Sequence, residues 1–245
     1  MARIFGVLLA ALIAVSCASH PMLVKAPMPV IHRIVLIPAT NPKWYTFENA
    51  TPPMGHPLQF LFNKIDSHNK AKRFNAAIGP SQASIGDVLT AVVEKNLREH
   101  GFEVRVIRDL VRIPDDPDNI DEGKLANDVD EDAIVHVWVD EVGMYSRPLS
   151  TKYVPRVNVS GKIWVKDQKD LFSDEVDYGV DAKKDRPLEI VADDRFRWSS
   201  FDEVMTNIDE IRSAYATGIQ LAADRLAEQI SSAATASNNA RLAAR

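Results

Sequence analysis

Ala133-Ile134-Val135-His136-Val137-Trp138-Val139 is the stretch on which the fold turns. Successive side chains of an extended chain point to opposite faces, so Ala133, Val135, Val137 and Val139 share one side. Ile134, His136 and Trp138 share the other. Neither side is charged near the start, and the pattern predicts a strand over 133–144 that is covered on both faces at its beginning.

The pattern continues downstream. Val157, Val159, Gly161, Ile163 and Val165 alternate as a second strand, and Asp167-Gln168-Lys169-Asp170 is a polar turn. Val176, Tyr178 and Val180 alternate after it, so these last two strands form a hairpin and bring antiparallel pairing into the sheet. Upstream, Arg33-Ile34-Val35-Leu36-Ile37-Pro38 is a β-branched apolar run closed by proline, the pattern of a buried strand. Ser84 to His100 predicts a helix. Ser84 is placed as its N-cap, Ile85, Val88, Leu89, Val92, Val93 and Leu97 form one stripe, and Gly101 is placed to stop it. Phe102 to Val106 alternates again. A strand, a helix and a strand begin an α/β layer.

The chain ends in helix. Ser200 with Glu203 matches a capping box, and Phe201, Val204, Met205, Ile208, Ile211, Tyr215, Ile219, Ala222 and Leu226 keep helical spacing. One helix, or two meeting near Gly218, both satisfy that spacing. Beyond Ser231 the Ala/Ser/Asn composition predicts no core and a disordered tail over 232–245. The fold expected is α/β (α+β): a mixed sheet with an antiparallel hairpin, packed by one early helix and a long C-terminal helix. It is read as a single domain over 31–231, with an insertion at about 39–84 and an acidic segment at 109–132.

The insertion carries Trp44, Tyr45, Phe47, Phe60, Phe62 and Phe74. Aromatics in so long a connection either cover the edge of a core or form a contact surface. Trp44, Tyr45, Phe60 and Phe62 are the residues expected to bind a partner. The acidic segment holds ten carboxylates against Arg112 and Lys124. Asp116 and Asp118 begin the alternation of a calcium loop, but Ile120 stands at the next ligand position, so the segment reads as a solvated acidic surface and no metal is expected. Catalytic motifs are absent from the sequence: six histidines form no pair at metal-ligand spacing, and HExxH, GxSxG and a phosphate-cradling glycine loop are missing. His136 reads as a core histidine. Asp140, Glu141 and Asp177 lie on neighbouring strands, as carboxylates do in any acidic protein. No catalytic residue and no cofactor is expected.

The N-terminus carries the most specific signal. Met1-Ala2-Arg3 is followed by an apolar run from Ile4 to Val15 and then Ser16-Cys17-Ala18. The run falls short of the ~20 apolar residues needed to span a bilayer, and charge, apolar core and small residues together read as a secretory signal over 1–16. Cys17 is the single cysteine of the chain. Ala14-Val15-Ser16-Cys17 resembles the lipobox of bacterial lipoproteins, with Ala14 where that family usually has leucine. The resemblance implies lipidation of Cys17, palmitate included, and a membrane as the first partner. Ala18 after the cysteine implies the outer membrane, facing the periplasm. Pro21, Pro27 and Pro29 make residues 17–30 a tether.

The formal charge is −5, and becomes −6 when Arg3 leaves with the signal. That excludes the basic face a nucleic-acid partner requires. The order of elements also resembles, more loosely, the small α/β domains of envelope-transport auxiliary and curli-secretion-type lipoproteins. This implies a non-enzymatic adaptor or accessory subunit with a protein partner in the envelope. An envelope-acting hydrolase and a structural subunit of an oligomeric envelope complex are the alternatives. Oligomeric state is not set by the sequence.

Overall fold

The computed structural model describes residues 30–49, 57–79, 84–112, 116–147, 150, 152–166 and 170–243, with the side chains of 57–65 and 241 left out. Cys17 and the residues read as signal and tether lie outside the described residues.

Seven described strands form one mixed sheet. They are β1 (Arg33–Ile37), β2 (Thr46–Asn49), β3 (Glu103–Val106), β4 (Ala133–Ser146), β5 (Tyr153–Val165), β6 (Asp170–Gly179) and β7 (Glu189–Ile190). The order is β3-β1-β4-β5-β6-β7, with β2 beside the far half of β4. β1 pairs parallel with β3 and with the start of β4, Ile34 facing Val104 and Ala133. β4, β5 and β6 run antiparallel, with a register shift between Val139 and Glu141. The expected α/β (α+β) class and the mixed sheet with its antiparallel hairpin are present.

Five described helices complete the fold: α1 (Pro57–Ile78), α2 (Ile85–Glu99), α3 (Glu122–Asp128), α4 (Phe201–Thr206) and α5 (Ile208–Ala243). α2 and α5 lie on one face of the sheet, where they bury Leu89, Val93, Leu97, Tyr215, Ile219, Leu226 and Ile230 against Leu36, Val135, Val159 and Ile163. α3 covers part of the opposite face, where Leu125 and Val129 close over Val35, Ile37, Ile134 and Trp164. β1 is therefore apolar on both sides, as a parallel strand under two layers must be. Apart from the end of β5 that carries Lys162 and Trp164 beneath α3, β5 and β6 are covered by helix on one side only, which leaves their other side free to carry polar groups.

Several local expectations are corrected. Ser84 makes no side-chain cap on α2; Asn41 does that work across the chain, its Oδ1 accepting from Gly86 N at 2.8 Å and Asp87 N at 3.3 Å. The unpaired amides of a helix start need an acceptor, and any well-placed loop can supply one. Gly101 does end α2, with φ +87°. The C-terminal helix breaks at Asn207 rather than near Gly218, because Asn207 turns its N–H to Glu203 and Val204 and its side chain to Glu203 O. Ser200 caps α4 as expected, accepting from Glu203 N at 3.1 Å.

The tail expected to be disordered is helical to Ala243. Its face continues the buried stripe through Ile230, Ser231 and Ala234. Alanine supplies little area to bury, but it has the highest helix propensity, and a long packed helix carries its last turns with it.

Candidate functional site

Alternation along β5 sends Val157, Val159 and Ile163 to the helix-covered core. Arg156, Asn158, Ser160 and Lys162 go to the open face. Three of these polar residues are nonetheless nearly buried: Arg156 at 9%, Asn158 at 8% and Ser160 at 7% exposure. The side chains of β4 and β6 on either side and the turn after β6 close over them. Cross-strand register sets Asn158 opposite Glu141 and Asp177, and Ser160 opposite Glu175.

Arg156 is the centre of this face. It pairs with Glu141 Oε2 at 2.6 Å and with both oxygens of Asp181, Nε at 2.5 Å and Nη2 at 2.9 Å. Its guanidinium plane lies 4.3 Å from the centre of the Tyr145 ring. A buried guanidinium needs such company, because an unpaired charge in this position is strongly destabilising. Asn158 Nδ2 donates to Asp181 Oδ2 at 3.3 Å, and Asn158 Oδ1 is buried with no partner among the described residues.

The carboxyl groups nearby are held away from ionisation. Loss of hydration, helped by the charges of Asp140 and Asp177, pushes Glu175 up to about 7. Loss of hydration also raises Asp177, with Asp181 and Glu189 adding to the effect. Asp140 is raised in the same way, and hydrogen bonds from Ser160 and from Trp138 Nε1, at 2.8 Å, hold it down in part. The arrangement keeps the Glu175 carboxyl partly protonated at neutral pH among other carboxyl groups. Such a set can exchange protons with a bound molecule or accept hydrogen bonds from hydroxyls. Beside it opens a cavity of about 480 Å³, walled by Phe172, Glu175, Asp177, Leu188 and Glu189.

The carboxylates read from sequence are therefore brought to one face, but His136 is not brought to them. It is 2% exposed, and Trp138 stands between it and Asp140, ring centres 4.9 Å from the histidine. Burial, and then the charge of Arg112, push His136 down to about 4, so it is neutral at ordinary pH. Among the described residues no group of three His, Cys, Asp or Glu is arranged to hold a metal ion. Asp118, read as part of a solvated acidic surface, is half-covered instead. Thr40 Oγ1 donates to it at 3.1 Å, and Arg112 stands 3.5 Å away.

The four aromatics expected at a partner surface separate. Trp44 is 46% exposed. Tyr45 is a core residue, 4% exposed and stacked on Tyr215 with ring centres 5.4 Å apart. Adjacent residues entering a strand point opposite ways, so they cannot both face outward. Phe60 and Phe62 lie on α1, and their side chains are outside the described residues. Sequence reasoning passed over Arg156, Glu175 and Asp181. The signal available was a full set of polar residues at alternate positions of an otherwise apolar strand.

No protein-family model matches the chain, and no curated protein sequence matches it. Solved structures with some likeness include lipoprotein GNA1162 from Neisseria meningitidis, at 14% identity and TM-score 0.33, covering 63% of this chain and 88% of that one. Protein XCC0632 from Xanthomonas campestris is 9% identical with TM-score 0.41, covering 88% of this chain and 92% of that one. A PelC dodecamer from Paraburkholderia phytofirmans is 10% identical with TM-score 0.33, covering 81% and 91%. Likeness this low carries no argument about activity or partners.

Proposed function

We propose that this chain is a lipid-anchored lipoprotein of the bacterial cell envelope. It acts without catalysis, as an adaptor or accessory subunit in envelope assembly or transport. The observation that supports the reading is Ala14-Val15-Ser16-Cys17 behind a short apolar run, with Cys17 the single cysteine of the chain. No described helix is long and apolar enough to cross a membrane. Lipid on Cys17 supplies the attachment in this reading. The tether then enters the fold at Ile31, and Trp44, Phe60 and Phe62 are the proposed contacts for a protein partner. The body sits in the periplasm, held to the outer membrane.

The test is metabolic labelling with palmitate in cells, beside a Cys17→Ala chain. The expected result is label on the native chain alone, outer-membrane fractionation, and in-cell crosslinks to envelope transport or assembly proteins that the variant loses. Absence of label, or label on both chains, would overturn the anchor.

One observation favours a second reading, an envelope-acting hydrolase: Glu175, held near neutrality, faces a cavity beside Asp177. Turnover of envelope polymer that disappears in Glu175→Gln would establish it.

A further inference from the structure

The chain is acidic overall, yet five cations and no carboxylate stand among the described residues that line one of its cavities. The cavity holds about 310 Å³ at the end of the sheet where β4 leaves, β5 begins and β6 turns away. Arg147 follows β4, Lys152 precedes β5, Lys183 and Lys184 follow β6, and Arg197 approaches α4. The floor between them is apolar, formed by Val154, Val180, Ala182, Val191 and Ala192.

The backbone builds this ring. Gly179 has φ +99°, and a Cβ there would lie 1.8 Å from Pro155 O, so only glycine lets residues 180–184 fold over the start of β5. Arg147 then fastens that turn, Nε donating to Val180 O at 2.9 Å and Nη2 to Ala182 O at 3.2 Å. Arg197 is neutralised by Asp194 at 2.7 Å. Arg147, Lys152, Lys183 and Lys184 make no ion pair among the described residues. Four like charges around one cavity repel each other, and a concave site of one sign concentrates counter-ions.

We propose that this cavity is a binding site for a small organic phosphate. A phosphate group brings close to two negative charges in one compact unit, which lysine ammonium groups meet as point charges. The volume lies at the small end of ligand sites and suits a phosphorylated sugar, whose carbon face rests on the valine and alanine floor. The same chemistry reaches the site as a soluble sugar phosphate or as a lipid headgroup. The cavity is remote from the proposed anchor. The tether enters at Ile31 beside the start of β4, and the cavity lies past its other end, after 14 residues at ~3.3 Å each.

Titration calorimetry with glucose 6-phosphate at low ionic strength tests it, on the full chain in mild detergent. The expected result is saturable one-to-one binding that weakens as salt is added. It falls roughly tenfold or more in Lys183→Ala and again in Lys152→Ala, with no change in Lys72→Ala on α1. Co-sedimentation of the Cys17→Ala chain with phosphatidic acid vesicles, against phosphatidylcholine vesicles, covers the headgroup source without insertion of an anchor. Lysine-dependent binding in either arm supports the site and identifies its source. Binding in neither arm, or an equal loss in Lys72→Ala, overturns it. The three lysine variants replace exposed side chains and are expected to melt with the native chain.

Discussion

Asn238 near the end of α5 grips the backbone of Ile31, where the folded body begins. Its Oδ1 accepts from Ile31 N at 2.8 Å and its Nδ2 donates to Ile31 O at 2.9 Å. One amide thus satisfies both backbone groups of a residue 207 positions away, and ties the last turns of the long helix to the first strand. Asn238→Ala is expected to cost about 1–2 kcal/mol, two neutral hydrogen bonds. Amide exchange over 236–243 and at Ile31 should quicken together. Unchanged protection at both places would mean that the helix end is held by other contacts.

Trp44 and Tyr45 separate surface from core within two residues. Tyr45→Ala empties space against Phe74 and Tyr215 and is expected to destabilise by about 3 kcal/mol or more. Trp44→Ala is expected to change stability by less than about 1 kcal/mol and to weaken capture of the partner in crosslinking. Denaturant unfolding of both variants, with crosslinking of the second, gives the two readouts. A large loss of stability in Trp44→Ala would assign it to the core and remove it from the contact surface.

Gly218 reverses the usual effect of glycine in a helix. At an exposed helical position alanine would be better by about 1 kcal/mol. Here a Cβ would lie 2.6 Å from Cδ1 of Tyr178, a ring only 1% exposed, and 3.2 Å from Val157 Cγ2. Gly218→Ala is therefore expected to destabilise, and Gly218→Val to do so by several kcal/mol, as overpacking does. A rise in melting temperature for Gly218→Ala would show that α5 can move off the sheet.

Two groups give stability opposite slopes with pH. His136 is pushed down from 6.5 to about 4, so below 6.5 the unfolded chain takes up a proton that the folded chain refuses. The stability contributed by neutral His136 is present above 6.5 and lost as pH falls toward 4, at most about 3 kcal/mol. Glu175 is pushed up from 4.5 to about 7, so the folded chain keeps a proton that the unfolded chain releases, and stability falls as pH rises through that window. Its side chain is well exposed, and solvent screening leaves this second effect the smaller. Urea midpoints measured from pH 4.5 to 8 should lose their acid-side fall in His136→Leu. Glu175→Gln should lose its decline toward pH 7. A His136→Leu profile parallel to the native one would show that the histidine is not buried neutral.

The carboxylate face was only half legible. Asp140, Glu141 and Asp177 stand out in the sequence as acids on adjacent strands, and the sheet does bring them together. Arg156 and Glu175 do not stand out, because a single charge at an outward strand position looks like a solvated surface residue. The burial of Arg156 follows from the packing of β4, β5 and β6 against each other and from the turn carrying Asp181, and the same neighbours crowd the exposed Glu175 with like charge. Asn41 and Asn238 were hidden for a related reason: each acts on backbone far away in the chain, and local pattern reports only neighbours.

By itself the sequence determined what depends on period and on short-range stereochemistry. A β-branched apolar run closed by proline placed β1, alternation placed β3, β4, β5 and β6, the apolar stripe placed α2 and most of α5, and Gly101 ended α2. Tertiary structure alone decided which polar residues lose their water, where the long helix ends, and which of two adjacent aromatics faces the core. Those outcomes depend on desolvation and on contacts between residues more than a hundred positions apart. Such contacts exist only after the sheet has formed and α5 has closed over it.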